Sequence, residues 1–202
     1  MQPKLGKLEV ICGSMFSGKS EELLFRLRRA EYAKKKVITI KHVIDNRTSY
    51  SCIVSHNGER REAYPIGNCE DSLSTLLSLA DETVDVVGID EIQFFPPETV
   101  EVLRQMVLAG KRVIVAGLDL DFRGLPFGIV PALMAFADEV VKLRAICTVC
   151  GSEANFSQRL IDGRPARYSD PIILVGGQEC YEPRCRLCFV FENEPAYQGT
   201  LR

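Results

Sequence analysis

No stretch of this 202-residue sequence stays apolar for the roughly 18 to 20 residues needed to cross a bilayer. The opening MQPKLGKLEVICG also lacks the apolar run and small-residue cleavage site of a secretory signal. A cytoplasmic location without membrane contact is the expectation. Net charge is scarce as well: 25 Lys and Arg against 27 Asp and Glu leave −2 at pH 7, so no basic field invites long nucleic acid. Internal repeats and low-complexity segments are missing, which sets aside solenoids. With 46% hydrophobic and 26% charged residues, what remains is a globular chain with room for one sizeable core and a small appendage.

Val- and Ile-rich runs alternate with stretches of helical period up to about Leu143, the pattern of an α/β fold with a predominantly parallel sheet. Residues 7–12, 36–41, 84–90, 111–118 and 139–146 read as strands, and 19–34, 70–82, 97–109 and 128–137 as helices. After Ile146 the periodicity fades, and five of the eight cysteines fall between Cys147 and Cys188. The expected division is a core over 1–146, a small cysteine-anchored subdomain over 147–191 and a loosely held tail over 192–202.

The segment GSMFSGKS, formed by Gly13, Ser14, Met15, Phe16, Ser17, Gly18, Lys19 and Ser20, fits G-x-x-x-x-G-K-[ST]. It also stands where that motif must stand, after a strand and before a helix. Its glycines let backbone N–H groups curl around phosphate oxygens, Lys19 reaches the β/γ-phosphates, and the Ser20 hydroxyl is placed for Mg²⁺. The alternative, a plain glycine turn, ignores that context. The basic residues of the following helix (Arg26, Arg28, Arg29, Lys34, Lys35, Lys36) read as a solvated face.

A buried strand ends in Asp90 and Glu91, at the sheet edge where open α/β sheets bind ligands. Two carboxylates there suit two tasks, holding the Mg²⁺ shell and taking a proton from an attacking hydroxyl, although exposed acids at a strand end are also common. Cys147, Cys150, Cys185 and Cys188 form two C-x-x-C pairs separated by 34 residues. Two such pairs can close a tetrahedral shell around structural zinc, with disulfide or redox use the weaker alternative. Cys12, Cys52, Cys69 and Cys180 read as small apolar fillers or incidental thiols. His42 and His56 read as surface or packing residues.

Taken together, GSMFSGKS, IDEIQFF, GLDLDFRGLPFG, AICTVCG and VGGQECYEPRCRLC resemble the thymidine kinases of the type shared by many bacteria and animal cytosol. The resemblance covers residues 8–191. It implies a RecA-like P-loop core with a zinc-anchored subdomain and lasso loop, ATP with Mg²⁺ as phosphate donor, and thymidine as acceptor through its 5′-hydroxyl. It further implies inhibition by dTTP and a homotetramer. On this basis Glu91 is the catalytic base and Asp90, with Ser20, stands at the Mg²⁺ site. Met15, Phe94, Leu118, Phe122 and Phe127 wall the base and sugar. Ile172, Leu174, Gly176 and Tyr181 belong to the lasso, and the four cysteines are the zinc ligands.

The chain departs from the family pattern in two places, at His56-Asn57 and in the run Asp45-Asn46-Arg47-Thr48 with Tyr50 beyond it. Arg159 is a candidate for neutralising transition-state charge. A competing reading, an ATP-driven nucleic-acid binder, expects basic clusters flanking the metal. Residues 147–191 instead balance Arg159, Arg164, Arg167, Arg184 and Arg186 against Glu153, Asp162, Asp170, Glu179 and Glu182. That balance favours a nucleoside kinase. A nucleotide-binding regulator without catalysis is weakened by Glu91.

Overall fold

The computed structural model describes residues 5–45, 51–54, 58–69, 71–174, 176 and 180–191. Its centre is a six-stranded sheet of strands β1 (Lys7–Gly13), β2 (Val37–His42), β5 (Tyr64–Ile66), β6 (Val86–Asp90), β7 (Arg112–Gly117) and β8 (Glu139–Leu143). The order is β5-β2-β6-β7-β1-β8 and every pairing is parallel. One strand, β7, therefore separates the strand leading into the phosphate loop from the strand ending in the acidic pair, as the RecA-like expectation requires. A short antiparallel hairpin, β3 (Cys52–Val54) with β4 (Arg60–Glu62), lies between β2 and β5 in sequence.

Alternation along the strands explains the layering. Ile11, Val86, Ile114 and Ala116 pack with Leu23, Leu24, Leu27 and Ala30 of helix α1 (Lys19–Tyr32). Leu8, Val10, Cys12, Val87, Ile89, Val113 and Val115 pack on the other face. That face is covered by α2 (Ser72–Leu79), α3 (Thr99–Leu108) and α4 (Val130–Phe136), through Leu76, Leu103, Met106 and Leu133. Both faces of the sheet are thus apolar, and the strands read as continuous hydrophobic runs.

All four expected helices form; the first begins at Lys19 as expected and ends early, and the other three are shorter at both ends. The expected strand over 139–146 divides: Gly13 pairs with Leu143 as the last rung of the sheet, and β9 (Ala145–Ile146) turns to pair antiparallel with β10 (Glu153–Ala154). The first cysteine pair sits in the knuckle between them. β11 (Phe156–Ile161) then pairs with β12 (Arg164–Pro165) and with β13 (Tyr181–Arg184), which leads into the second knuckle. The edge strand β5 escaped sequence reading because three residues containing an exposed Tyr and a Pro carry no alternation to detect.

Arg26 differs from the expected solvated face. It donates to Glu9 (2.6 Å), Glu22 (2.7 Å) and Glu139 (2.8 Å), with 13% of its side chain exposed. Arg28 and Lys35 do form surface pairs, with Glu59 and Asp85. Among the described residues no helix is long and apolar enough to cross a membrane.

Candidate active site

Parallel pairing brings the C-terminal ends of β1, β6 and β7, at Gly13, Asp90 and Gly117, to one edge of the sheet. The loop after β1 turns through Gly13 (φ 141°), Phe16 (φ 63°) and Gly18 (φ 85°). Phe16 is in the left-handed region without being glycine, a conformation that persists only where surroundings enforce it. They do: Phe16 packs against two apolar clusters, that of Met15, Phe122 and Tyr181 and that of Ala145, Cys147 and Ala154. Two further bonds tie this loop to the cysteine module. Ser14 Oγ donates to the Ala154 carbonyl (3.1 Å), and the Met15 amide donates to Ser157 Oγ (2.9 Å). Lys19 Nζ crosses the loop to the Ser14 carbonyl at 2.7 Å.

The Ser20 hydroxyl donates to Asp90 Oδ2 at 2.8 Å, and Asp90 Oδ1 accepts the Glu91 amide at 2.9 Å. Asp90 is buried. Burial, reinforced by the charge of Glu91, pushes its carboxyl up to about 7 although both hydrogen bonds favour the ionised form. A buried carboxylate beside a hydroxyl supplies hard oxygen ligands and gains most from an added cation, so Ser20 and Asp90 fit Mg²⁺ by donor chemistry.

Glu91 adopts φ 54° and begins the 3₁₀ turn Ile92–Phe94. Its Oε2 accepts Gln93 Nε2 at 2.5 Å. His42, at the end of β2, is a buried packing residue. Its Nδ1 accepts the Ile44 amide (3.2 Å), its Nε2 meets Asn68 Oδ1 (3.1 Å), and its ring lies against Phe94 and Phe95. Burial lowers its pKa, so it stands as neutral imidazole. Asn68 in turn donates to the Phe94 carbonyl at 2.9 Å.

A single cavity of 750 Å³ joins these parts, a size suited to small ligands. Lys19, Ser20, Asp90 and Glu91 line it together with Met15, Phe94, Leu118, Phe122 and Phe127. So do Ile172, Leu174, Gly176 and Tyr181. Of the phosphate loop, Phe16 and Gly18 also reach it, whereas Gly13, Ser14 and Ser17 shape the loop behind. The segment 118–127 displays its apolar side chains because Asp121 closes the turn, accepting from the amides of Arg123 (2.8 Å) and Leu125 (3.0 Å). Phe127 stands edge-on to Phe94.

Arg159 is 2% exposed and is committed to the lasso. It donates to Tyr181 Oη (2.9 and 2.6 Å), to the Ile172 carbonyl (2.6 Å) and to the Pro171 carbonyl, while lying 4.0 Å from the centre of the Phe122 ring. The Tyr181 hydroxyl in turn donates to the Leu174 carbonyl at 2.8 Å. These bonds give the guanidinium a holding task in the lasso, and it lines the cavity as well.

The sulfurs of Cys147, Cys150, Cys185 and Cys188 all lie within 4.8 Å of one another, with Cys150 and Cys185 at 3.6 Å. A tetrahedral ion bound through sulfur at about 2.3 Å would space its ligands by about 3.8 Å. The cluster fits a structural metal such as zinc, and 3.6 Å is far beyond a disulfide bond. Although burial opposes ionisation, the amides of Cys185, Cys150 and Val149 bring the Cys147 thiol down to about 6. Hydrogen bonding among the crowded sulfurs, foremost to Cys185, drives Cys188 up to about 12. A dication eases that conflict by stabilising the thiolate form of its ligands, offsetting two of their four negative charges.

Sequence reading missed Gln93, Ser157 and the hairpin residues Ile53 and Val54, which also line or support the cavity. Gln93 lies within IDEIQFF but nothing in that pattern gives it a task, and no motif marks the others. The departures at Asn46, Arg47, Thr48, Tyr50, His56 and Asn57, the lasso residue Gly177 and the tail 192–202 lie outside the described residues. Asp45 is described and lines the cavity while paired with Lys41 at 3.2 Å. Comparison with known families gives a match to the thymidine kinase model over residues 6–189, from the first strand through both cysteine pairs. The chain belongs to the thymidine kinase family, phosphotransferases that act on thymidine.

Proposed function

We propose that the protein transfers the γ-phosphate of ATP to the 5′-hydroxyl of thymidine, releasing ADP and dTMP in nucleotide salvage. The observation carrying this reading is the single cavity whose wall includes a phosphate loop, two carboxylates and an apolar pocket under the lasso. Lys19 and the loop amides bind the ATP phosphates. Ser20 and Asp90 would hold Mg²⁺, which when bound would supply neutralisation of phosphate charge. Glu91 accepts the 5′-hydroxyl proton as that oxygen bonds to the γ-phosphorus and the bond to the β–γ bridging oxygen breaks.

Thymine is enclosed by Met15, Phe94, Leu118, Phe122, Phe127 and Tyr181, and its N3–H and carbonyl edge is read by lasso backbone around Ile172 to Gly176. Fixing that backbone through Arg159 and Tyr181 is what allows main-chain groups to discriminate. Cytosine reverses donor and acceptor along this edge, and a buried mismatch of that kind can reject an analogue by about 10⁴-fold. The cysteine cluster binds zinc structurally and anchors residues 147–191 as a subdomain beside the 1–146 core. Family membership supports a cytoplasmic homotetramer inhibited by dTTP.

The test is to incubate purified protein with Mg²⁺-ATP and a panel of nucleosides. Thymidine monophosphate is the expected product, and comparable use of deoxycytidine would overturn the specificity. Replacing Glu91 by Gln should lower kcat by about 10²-fold or more while nucleoside and ATP still bind. An unchanged kcat would remove Glu91 as the base.

A further inference from the structure

Gln93 is a buried polar side chain behind the cavity wall, bonded to the lining residues Glu91 and Leu118 through both ends of its amide. Its Oε1 accepts the Leu118 amide at 3.0 Å, and its Nε2 donates to Glu91 Oε2 at 2.5 Å. The first contact settles the orientation of the amide, because the Leu118 N–H can only donate; the nitrogen must therefore face the carboxylate. Two glycines make room for this arrangement. A Cβ on Gly117 would lie 2.6 Å from Gln93 Oε1, and one on Gly128, whose φ is 53°, would lie 2.1 Å from the Gln93 carbonyl. Glu91 itself sits in the left-handed region, where a non-glycine residue needs external support.

We propose that Gln93 is a positioning residue for phosphoryl transfer: it holds the Glu91 carboxylate in its working orientation and locks it to Leu118 in the thymidine wall. This rests on Glu91 serving as base. A glutamate side chain has three rotatable torsions, and one donor fixed at its terminal oxygen removes most of that freedom. The other end of the same amide accepts the Leu118 N–H, just beyond β7, so the base and the wall against which the sugar rests are tied together. Small misplacements of a reacting group can cost about 10²-fold in rate, which is the scale on which loss of this brace should register.

Four variants test it: Gln93→Met, Gln93→Glu, Glu91→Gln and the double Glu91→Gln/Gln93→Met, each checked for folding by thermal melt and for ATP affinity by titration. Gln93→Met removes both bonds and should lower kcat about 10-fold or more, with KM for thymidine changed less than about 3-fold. Gln93→Glu keeps an acceptor for Leu118 but cannot donate to Glu91 as a carboxylate, and should lose kcat comparably. In the Glu91→Gln background, Gln93→Met should change kcat little further, because the group it positions is already gone. Full additivity in the double variant, or wild-type kcat in Gln93→Glu, would overturn the positioning role while leaving Glu91 as base. Wild-type kcat in Glu91→Gln would instead remove the base reading and this inference with it.

Discussion

Replacing Arg159 by Met should separate two roles that one buried guanidinium could play. The substitution keeps an unbranched stem but deletes every donor that reaches Pro171, Ile172 and Tyr181. Hydrogen bonds from a charged donor contribute about 1.5 to 3 kcal/mol each. The lasso is half open to water, with Ile172, Ile173 and Leu174 exposed by 41%, 48% and 43%, so its freed carbonyls can rehydrate and much of that loss is recovered. What is not recovered is the order of the segment over the cavity. A net cost of about 2 to 3 kcal/mol on thymidine binding corresponds to a rise in KM of about 30- to 150-fold. Steady-state kinetics with thymidine varied at saturating Mg²⁺-ATP would measure it, and Tyr181→Phe, which removes one hydroxyl from the same chain of bonds, should move KM the same way by about 5-fold. An Arg159→Met enzyme with KM within about 3-fold of wild type and kcat down by about 10²-fold would refute this reasoning and return Arg159 to charge neutralisation in the transition state.

Elemental analysis should find one zinc per chain, and chelation or Cys185→Ser should weaken ATP binding as well as the small sheets, since Ser14, Met15 and Phe16 lean on that module; ATP affinity equal to wild type in metal-free protein would contradict the coupling. Glu9 predicts an acid-sensitive stability. Burial alone would raise its carboxyl, yet Arg112 and Arg26 outweigh burial and hold it down to about 2. Because the folded value lies below the ordinary one, this stabilisation is complete above about pH 4.5 and disappears as pH falls through about 2, a contribution on the order of 3 kcal/mol. Urea unfolding of Glu9→Gln should show that deficit at pH 7 and a much smaller one near pH 2.5; a gap independent of pH would count against it. Gly128→Ala should lower both melting temperature and kcat, because its Cβ collides with the Gln93 backbone, and wild-type kcat in that variant would argue against a rigid brace.

What the sequence displayed most clearly was what depends on local pattern. The five long strands and four helices follow from apolar period, and the loop from Gly13 to Ser20 from a motif that works through its own backbone. Two C-x-x-C pairs likewise advertise a shared ion across any intervening length. The features that stayed hidden are those created by pairing in space. Arg26 looks like one more cation on a basic helix until β1 delivers Glu9 beneath it. Arg159 acquires its partners only when the lasso folds back, and Gln93 becomes a brace only because Gly117 and Gly128, distant in sequence, leave it a slot. Residue type and spacing do not encode such encounters.

The two non-glycine residues held in left-handed backbone around the cavity, Phe16 and Glu91, connect these points. Each such conformation costs about 1 to 3 kcal/mol and relaxes unless neighbours oppose it. Phe16 is opposed by apolar packing from the cysteine module, and Glu91 by hydrogen bonds to Asp90 and Gln93. On the proposed reading, the loop that would bind phosphate and the carboxylate that would act as base are therefore both shaped by neighbouring side chains. The module that carries the lasso also braces the loop that would grip ATP, so the donor and acceptor halves of the cavity share one support. Loosening either strained residue should consequently be felt at both substrates, with Phe16→Gly, which relieves the backbone but removes the packing, the sharpest case: ATP affinity should fall although the local backbone is easier to form, and an unchanged affinity would show that the ring carries no weight.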